Sequence, residues 1–452
     1  MSLKLLKPPT PFVQTSVSPA EYWDTTPQIR LDGLFHYLKA HIPYYEAHTP
    51  GQNAPEWHQL PIADKTLFET NFEQLNRLKL SRKQIFEHQN TPPQPHDEFC
   101  IGKARFGISE RTTGTPFIWV STDQERDQEA GYLLGKILNR SFWGRYRIAN
   151  FYPYYKPLLE RIQSGRIKVQ SFSLDTPQDV LFGQLKAFSP SVIIGSPSLL
   201  RTLAQHMARG FFVIYPEKII AVGEVLEDTD RDFIGRQFNL PVHQFYQAVE
   251  GFLGSTCEYG TLHLHTDIFH FEPVWKNESR SHFTPLVTHL DRRVQPIIRY
   301  QIGDILKPKR TLCPCGDQSP ALAGIEGREE DLIYFYSETQ DYWQLFMPFQ
   351  FRKAIRQASS AIRRFQVEQE SPVELVIRLD VPDGMFNQVQ TMVGESLKRM
   401  FQEAKVRWPM LHFEVLSPYE PTAKRWRPVS SDVTSQQYAV LGSDLPSFTN
   451  PI

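Results

Sequence analysis

Residues 191–251 read SVIIGSPSLLRTLAQHMARGFFVIYPEKIIAVGEVLEDTDRDFIGRQFNLPVHQFYQAVEG. Three short apolar runs, SVIIG, KIIAV and VHQFY, are separated by two stretches of helical length. In SPSLLRTLAQHMARG, Leu199, Leu200, Leu203 and Met207 share one helix face and Gly210 reads as the C-cap. LEDTDRDFIGRQF supplies the second helix. Strands alternating with helices predict an α/β sheet with ligands outside the carboxyl ends of its strands. Gly195, Gly223 and Tyr246 each fall at or just after such an end.

Toward the N-terminus, residues 30–48 place Leu34, Tyr37, Leu38 and Ile42 at helical spacing, and a Pro-rich loop (89–98) follows. Residues 106–108 and 117–121 read as short strands around the loop SERTTGTP (109–116). A phosphate loop of the GxxxxGK[ST] kind runs from strand to helix and is absent here. DQERDQEAGYLLGKILNRSF (123–142) reads as a helix with an acidic first turn. Toward the C-terminus the pattern changes near residue 330. FRKAIRQAS, two alternating stretches in FQVEQESPVELVIRLDV, a helix carrying Phe386, Val389, Val393, Leu397 and Met400, and LHFEVL give α-β-β-α-β. The expected organisation is therefore a large multi-sheet α/β domain over 1–330 and a small α+β domain over 331–452.

The chain of 452 residues is too long for one ordinary core. Its 49 basic and 50 acidic residues leave a net charge of −1 without a long single-sign block, which argues against nucleic acid as a partner. The apolar runs fall far short of a membrane span, so no transmembrane segment is expected. MSLKLLKPPTPF meets prolines before any signal-peptide core forms. A cytoplasmic location is the expectation.

Several residues invite chemistry, each beside a plainer reading. Gly223-Glu224 after a strand lets a nucleotide base approach the backbone, or is a simple strand-to-helix turn. Tyr246 offers a ring for adenine and Glu250 a carboxylate for Mg²⁺ shared with phosphates, or they are a core tyrosine and a solvated acid. Asp304, after a glycine and the apolar strand VQPIIRY, suits ribose hydroxyls or a turn. Lys424, in PTAKRWRP, is by itself a solvated charge. Cys257, His263, Cys313 and Cys315 form a donor set suited to tetrahedral Zn²⁺. His265 competes with His263, and the two are expected on opposite faces of a strand. Cys100 reads as a buried thiol. Four cysteines in a chain of this length do not make a disulfide scaffold.

In order, SERTTGTP, GSPS with GEVL, FYQAVEG, RYQIGD, EGREED and the late Lys424 resemble the adenylate-forming superfamily. Within it, the series is similar to the phenylacetate–CoA ligase-like branch and to relatives of the capsule-biosynthesis CapK proteins. The resemblance spans most of the chain, with YQAVEGFLGSTCEYGTLHLHTD its most specific part. It implies ATP- and Mg²⁺-dependent conversion of a carboxylic acid, aryl acids included, to an acyl-adenylate. Transfer to a thiol of coenzyme A or a carrier protein would follow. It assigns nucleotide contacts to Thr112, Thr113, Gly114, Gly223, Glu224, Tyr246, Asp304 and Arg328, a metal role to Glu250 and catalysis to Lys424, with Arg425 a neighbouring candidate. Glu330 matches the hinge about which the small domain turns. Some relatives carry the same Cys/His set, which favours structural zinc. Glu110 and Arg111 depart from the family's Ser/Thr-Ser-Gly-Thr-Thr-Gly loop, and Gln301 and Ile302 from its Tyr-Arg-Thr-Gly-Asp signature. Two alternatives therefore stay open: a degenerate nucleotide-binding member without turnover, and acyl transfer to an amine or hydroxyl in surface-polysaccharide assembly. A homodimer is also left open.

Overall fold

The computed structural model describes residues 28–49, 57–87, 98–108, 117–138, 144–173, 176–339, 342–416, 428–431 and 433. Two compact units divide the chain: one runs to Ile302 and includes Lys307–Gly324, and the other comprises Gly303–Leu306 and the chain from Ile325 onward.

In the first unit, helices α1 (Gln28–His41), α2 (Pro43–His48), α3 (Lys65–Thr70) and α4 (Arg82–Glu87) come first. Pro43 splits the single helix expected over 30–48, because a proline nitrogen cannot donate into the preceding turn. Strands β1 (Glu98–Ile101), β2 (Ala104–Ile108) and β3 (Ile118–Thr122) form an antiparallel sheet in that order. Cys100 lies on the edge strand β1 and is exposed, not buried as expected: an edge strand has a neighbour on one side only. Helix α5 (Asp123–Ile137) starts at a capping box in which Thr122 accepts from the Glu125 amide and Glu125 accepts from that of Thr122.

The α/β pattern continues through β4 (Tyr146–Asn150), α6 (Lys156–Arg161), β5 (Ile167–Ser171), α7 (Gln178–Phe188), β6 (Val192–Gly195), α8 (Pro197–Ala208), β7 (Lys218–Val222), α9 (Asp228–Phe238) and β8 (Val242–Ala248). Strands β5, β4, β6, β7 and β8 are parallel neighbours in that order. Alternation along them feeds two cores. Ile193, Ile219 and Ala221 pack with Leu199, Leu203, Ile234 and Phe238, whereas Val192, Ile194, Ile220 and Val222 pack with Leu133, Ile137 and Leu158. Both faces are thus covered by helices, which is why these strands are apolar at nearly every position. Gly210 follows α8 with φ +76°, in keeping with its reading as a helix terminator.

The sheet extends through β9 (Gly251–Thr256), β10 (Leu262–Leu264), β11 (Phe269–Trp275), β12 (Phe283–His289), β13 (Tyr300–Gln301), β14 (Asp304–Pro308) and β15 (Ala321–Arg328). The strand order is β11-β12-β14-β15-β10-β9-β8-β7-β6-β4-β5, with β13 on β12. The run VQPIIRY is therefore not a strand: only its last residue, Tyr300, enters β13, and 294–299 is irregular although buried. Apolar content there reflects burial of a loop, which periodicity alone does not distinguish from a strand.

The second unit holds the hairpin β16 (Ile333–Tyr336) and β17 (Trp343–Phe346), absent from the sequence reading. Helix α10 (Pro348–Ala358), β18 (Arg364–Ser371), β19 (Glu374–Asp380), α11 (Phe386–Ala404) and β20 (Met410–Val415) follow in the expected α-β-β-α-β order, and β21 (Val429–Ser431) adds an edge. The four-stranded sheet runs β20-β19-β18-β21. Val389, Val393, Leu397 and Phe401 of α11 are buried against Phe365, Val367, Ile377 and Leu379. Phe401 joins that stripe, following Leu397 by four residues, while Phe386 and Met400 pack half-buried at its margin.

Candidate functional site

Three sequence-selected positions fall at or near the carboxyl ends of neighbouring parallel strands. Gly195 on β6 is in register with Ala221 on β7, and Val222 with Phe245 on β8, so Gly195, Gly223 and Tyr246 lie along one sheet edge. Gly223 has φ +86°, and a Cβ there would sit 2.8 Å from the Tyr152 ring. Only glycine lets this aromatic side chain lie against the backbone. Tyr246 is buried and lies inside β8, which runs on to Ala248 instead of ending at the tyrosine. The pairing with β9 slips between Tyr246 and Gln247, a bulge that re-aims the following side chains. The Tyr155 hydroxyl donates to Gln247 Oε1 at 3.2 Å, and Gln247 Nε2 donates to the Ala248 carbonyl at 2.7 Å. Glu250 is buried in the turn before β9, where Arg292 Nη1 donates to its carbonyl at 3.4 Å.

Glu224 is committed locally. Its carboxylate accepts from the Ser198 amide at 3.1 Å and from the Ser198 hydroxyl at 2.9 Å, at the first turn of α8. The motifs GSPS and GEVL are therefore clasped together, with the carboxylate at the positive end of a helix. Ser196 completes the cap by accepting from the Leu199 amide. The clasp was not legible in the sequence, where Ser198 and Glu224 stand 26 positions apart.

In the second unit, Asp304 is buried and Arg328 Nε donates to its Oδ1 at 3.2 Å; Arg328 Nη1 donates to Glu330 Oε1 at 3.1 Å. Three acidic or basic residues singled out in sequence thus form one network. Thr112, Thr113, Gly114 and Lys424, with Glu110, Arg111 and Arg425, lie outside the described residues.

The four candidate metal ligands come together. Donor atoms of Cys257, His263, Cys313 and Cys315 all lie within 4.8 Å of one another. Cys257 Sγ and Cys313 Sγ are 3.6 Å apart, and Cys315 Sγ lies 3.4 Å from His263 Nε2. A zinc tetrahedron with Zn–S of about 2.3 Å and Zn–N of about 2.0–2.1 Å has S···S edges of about 3.8 Å and S···N edges of about 3.5 Å. The donor set fits. Two turns build it: Gly260 donates to the Cys257 carbonyl, and Gly316 to that of Cys313. Gly316 adopts φ +82°, the left-handed value that closes the Cys-Pro-Cys-Gly turn.

His263 Nδ1 faces the Ser319 carbonyl at 3.2 Å, which assigns the proton to Nδ1 and leaves Nε2 for a metal. Burial opposes charge on Cys313, but hydrogen bonds from Thr261, Cys315 and His263 outweigh it and hold that thiol down, to about 6. Burial pushes Cys315 up instead. His265 is not part of the set. Its Nε2 pairs with Ser255 Oγ at 2.9 Å and its Nδ1 with the Phe252 carbonyl. The expected reason was wrong, because residues two apart on a strand share a face. His265 is separated by its partners, not by strand alternation.

No protein-family model matches the chain, and no curated protein matches it. Solved structures do. A 2-hydroxyisobutyryl-CoA ligase in the postadenylation state with R3-HIB-AMP superposes with a TM-score of 0.64 at 17% identity, covering 93% of each chain. The fold is that of an acyl-CoA ligase. The open conformation of that ligase with 2-HIB-AMP and CoA gives a TM-score of 0.58 at 17% identity over 91% of this chain and 92% of that one. Its thioesterification state gives 0.53 at 19% identity, over 92% and 91%.

Proposed function

We propose that this chain activates a carboxylic acid with ATP and passes the resulting acyl group to a thiol, coenzyme A being the first candidate. The observation that carries the reading is the fold shared with a ligase whose structures hold an acyl-AMP and CoA, over 93% of both chains. In the first step a carboxylate oxygen attacks the α-phosphorus, and the bond to the bridging oxygen of the β-phosphate breaks to release pyrophosphate. In the second a thiol attacks the acyl carbon, AMP leaves, and the thiol proton passes to solvent.

On this reading Gly223 gives the base room against the backbone and Tyr246 forms an aromatic wall. Glu224 acts through its hold on Ser198, which fixes the strand end beside α8. Glu250 would hold a Mg²⁺, which would offset charge on the phosphates. Asp304 accepts from the ribose hydroxyls, with Arg328 holding it. Thr112, Thr113 and Gly114 position the β- and γ-phosphates, and Arg111 adds a guanidinium that suits phosphate. Lys424 stabilises charge developing at the α-phosphate from a small domain, 331–452, that turns about Glu330. Phenylacetate–CoA ligase-like and CapK-related kinship is supported by the order of the motifs. Zinc at Cys257, His263, Cys313 and Cys315 is structural, since all four positions are filled by protein donors.

ATP–pyrophosphate exchange, screened over aryl, hydroxy and fatty acids, tests the activity. Exchange dependent on one acid class supports it, and Lys424→Ala should slow exchange by orders of magnitude with ATP affinity little changed. Absence of both exchange and ATP binding in wild type, with binding gained on placing Ser-Gly at 110–111, would overturn it in favour of a degenerate nucleotide-binding chain.

A further inference from the structure

Beside the metal centre stands a cation that no motif singled out. Lys309 Nζ donates to Thr261 Oγ1 at 2.7 Å, and the Thr261 hydroxyl is among the groups that hold the Cys313 thiol down. Thr261 is buried, and so is Cys313, at 4% exposure. The chain brings them together by two local hydrogen bonds. The Cys257 amide donates to the Thr261 carbonyl at 2.9 Å, closing the turn that carries the first ligand; the Lys309 amide donates to the Ala321 carbonyl at 2.8 Å, beside the strand pair His263–Ala321.

The electrostatics give this chain of contacts a purpose. Three thiolates and a neutral imidazole around a divalent ion leave the centre with one negative charge in excess. An uncompensated charge of that kind at a buried sulfur is costly unless a donor or counter-ion meets it. A hydroxyl that accepts from an ammonium becomes a stronger donor.

We infer that Thr261 and Lys309 are positioning residues of the metal centre: the Lys309 ammonium acts through the Thr261 hydroxyl to hold the Cys313 thiolate and cancel the excess charge. The inference rests on the metal reading and extends it to two residues outside the ligand set. It also explains why a threonine stands between the first cysteine and the histidine, and a lysine shortly before the Cys-Pro-Cys turn.

The test uses the purified full chain, loaded with Zn²⁺ or Co²⁺. Zinc affinity is measured by competition with a chromophoric chelator, and the cobalt form by its sulfur-to-metal absorption. Thr261→Val and Lys309→Met should each weaken zinc about 10- to 100-fold and shift the cobalt band, whereas Lys309→Arg should retain most of the affinity. Lys309→Met should add little in the Thr261→Val background, because the charge acts through that hydroxyl. Wild type that binds neither ion overturns the metal reading itself. Wild type that binds zinc tightly, with both variants unchanged in affinity and spectrum, overturns this inference alone. Additive losses in the double variant overturn the relay.

Discussion

Arg328 bridges two carboxylates on the same unit, donating from Nε to Asp304 Oδ1 at 3.2 Å and from Nη1 to Glu330 Oε1 at 3.1 Å. Asp304 lies at the start of β14 and Arg328 at the end of β15, so the pair ties two strand ends together. Such a network can serve nucleotide binding or folding alone, and the two roles separate under mutation.

Asp304→Ala should raise the KM for ATP in the exchange reaction by at least about tenfold, equivalent to about 1.4 kcal/mol or more of lost binding. Stability should fall by about 1–3 kcal/mol as Arg328 loses a charged acceptor. A stability loss of that size with unchanged ATP affinity would leave Asp304 as an ion-pair partner only. Denaturant titration and exchange kinetics on the same variant decide between the two.

The Ser198–Glu224 clasp predicts a purely structural cost. Glu224→Gln keeps the shape but removes the charge facing the first turn of α8, and should cost about 1–2 kcal/mol. Ser198→Ala should cost a similar amount, and the double variant less than the sum. Additive losses in urea unfolding would mean that the two side chains stabilise the chain independently.

Metal analysis of purified protein should find about one zinc per chain, with the melting temperature falling on chelation. Cys313→Ser or Cys315→Ser should release the ion. Cys100→Ser, on the exposed edge strand, should leave it in place. A fully stable, metal-free preparation would remove the centre from the account.

Lys218 makes a prediction about pH. Its ammonium lies beneath the C-terminal end of α5, donating to the carbonyls of Lys136 and Ile137 at 2.8 and 2.9 Å. Burial lowers its pKa from 10.5 to about 7. From about pH 7 to 10.5 the unfolded chain therefore holds a proton that the folded chain has shed. Unfolding free energy should rise with pH across that window, because the unfolded state binds more protons. Lys218→Met removes this titration, so wild type should gain stability relative to the variant between pH 7 and 9. A constant difference would show that the two carbonyls keep the amine charged.

Much of the parallel sheet was written locally. Ile193, Ile220 and their neighbours are apolar on both faces, and Leu199, Leu200 and Leu203 repeat with the helical turn, so strand and helix follow from spacing. The α-β-β-α-β order of the second unit was legible for the same reason. VQPIIRY misled because a buried loop carries the same composition as a strand. The hairpin β16–β17 escaped because its strands, IYFY and WQLF, are short and apolar or aromatic at nearly every position, which leaves no alternation to read.

Sequence by itself determined the alternation of strands and helices over 191–246, the α-β-β-α-β order of the second unit, the glycine positions and the residue types available for chemistry, since these depend on neighbours a few positions apart. Tertiary structure alone decided which distant residues meet. Cys257 and Cys313 are 56 positions apart yet have sulfurs within 3.6 Å, Ser198 and Glu224 are 26 apart, and Lys309 reaches Thr261 across 48. Their meeting depends on strand order and register, which are set by burying the whole sheet at once. No local spacing carries that information, because the energy that selects a register is summed over every side chain the sheet covers.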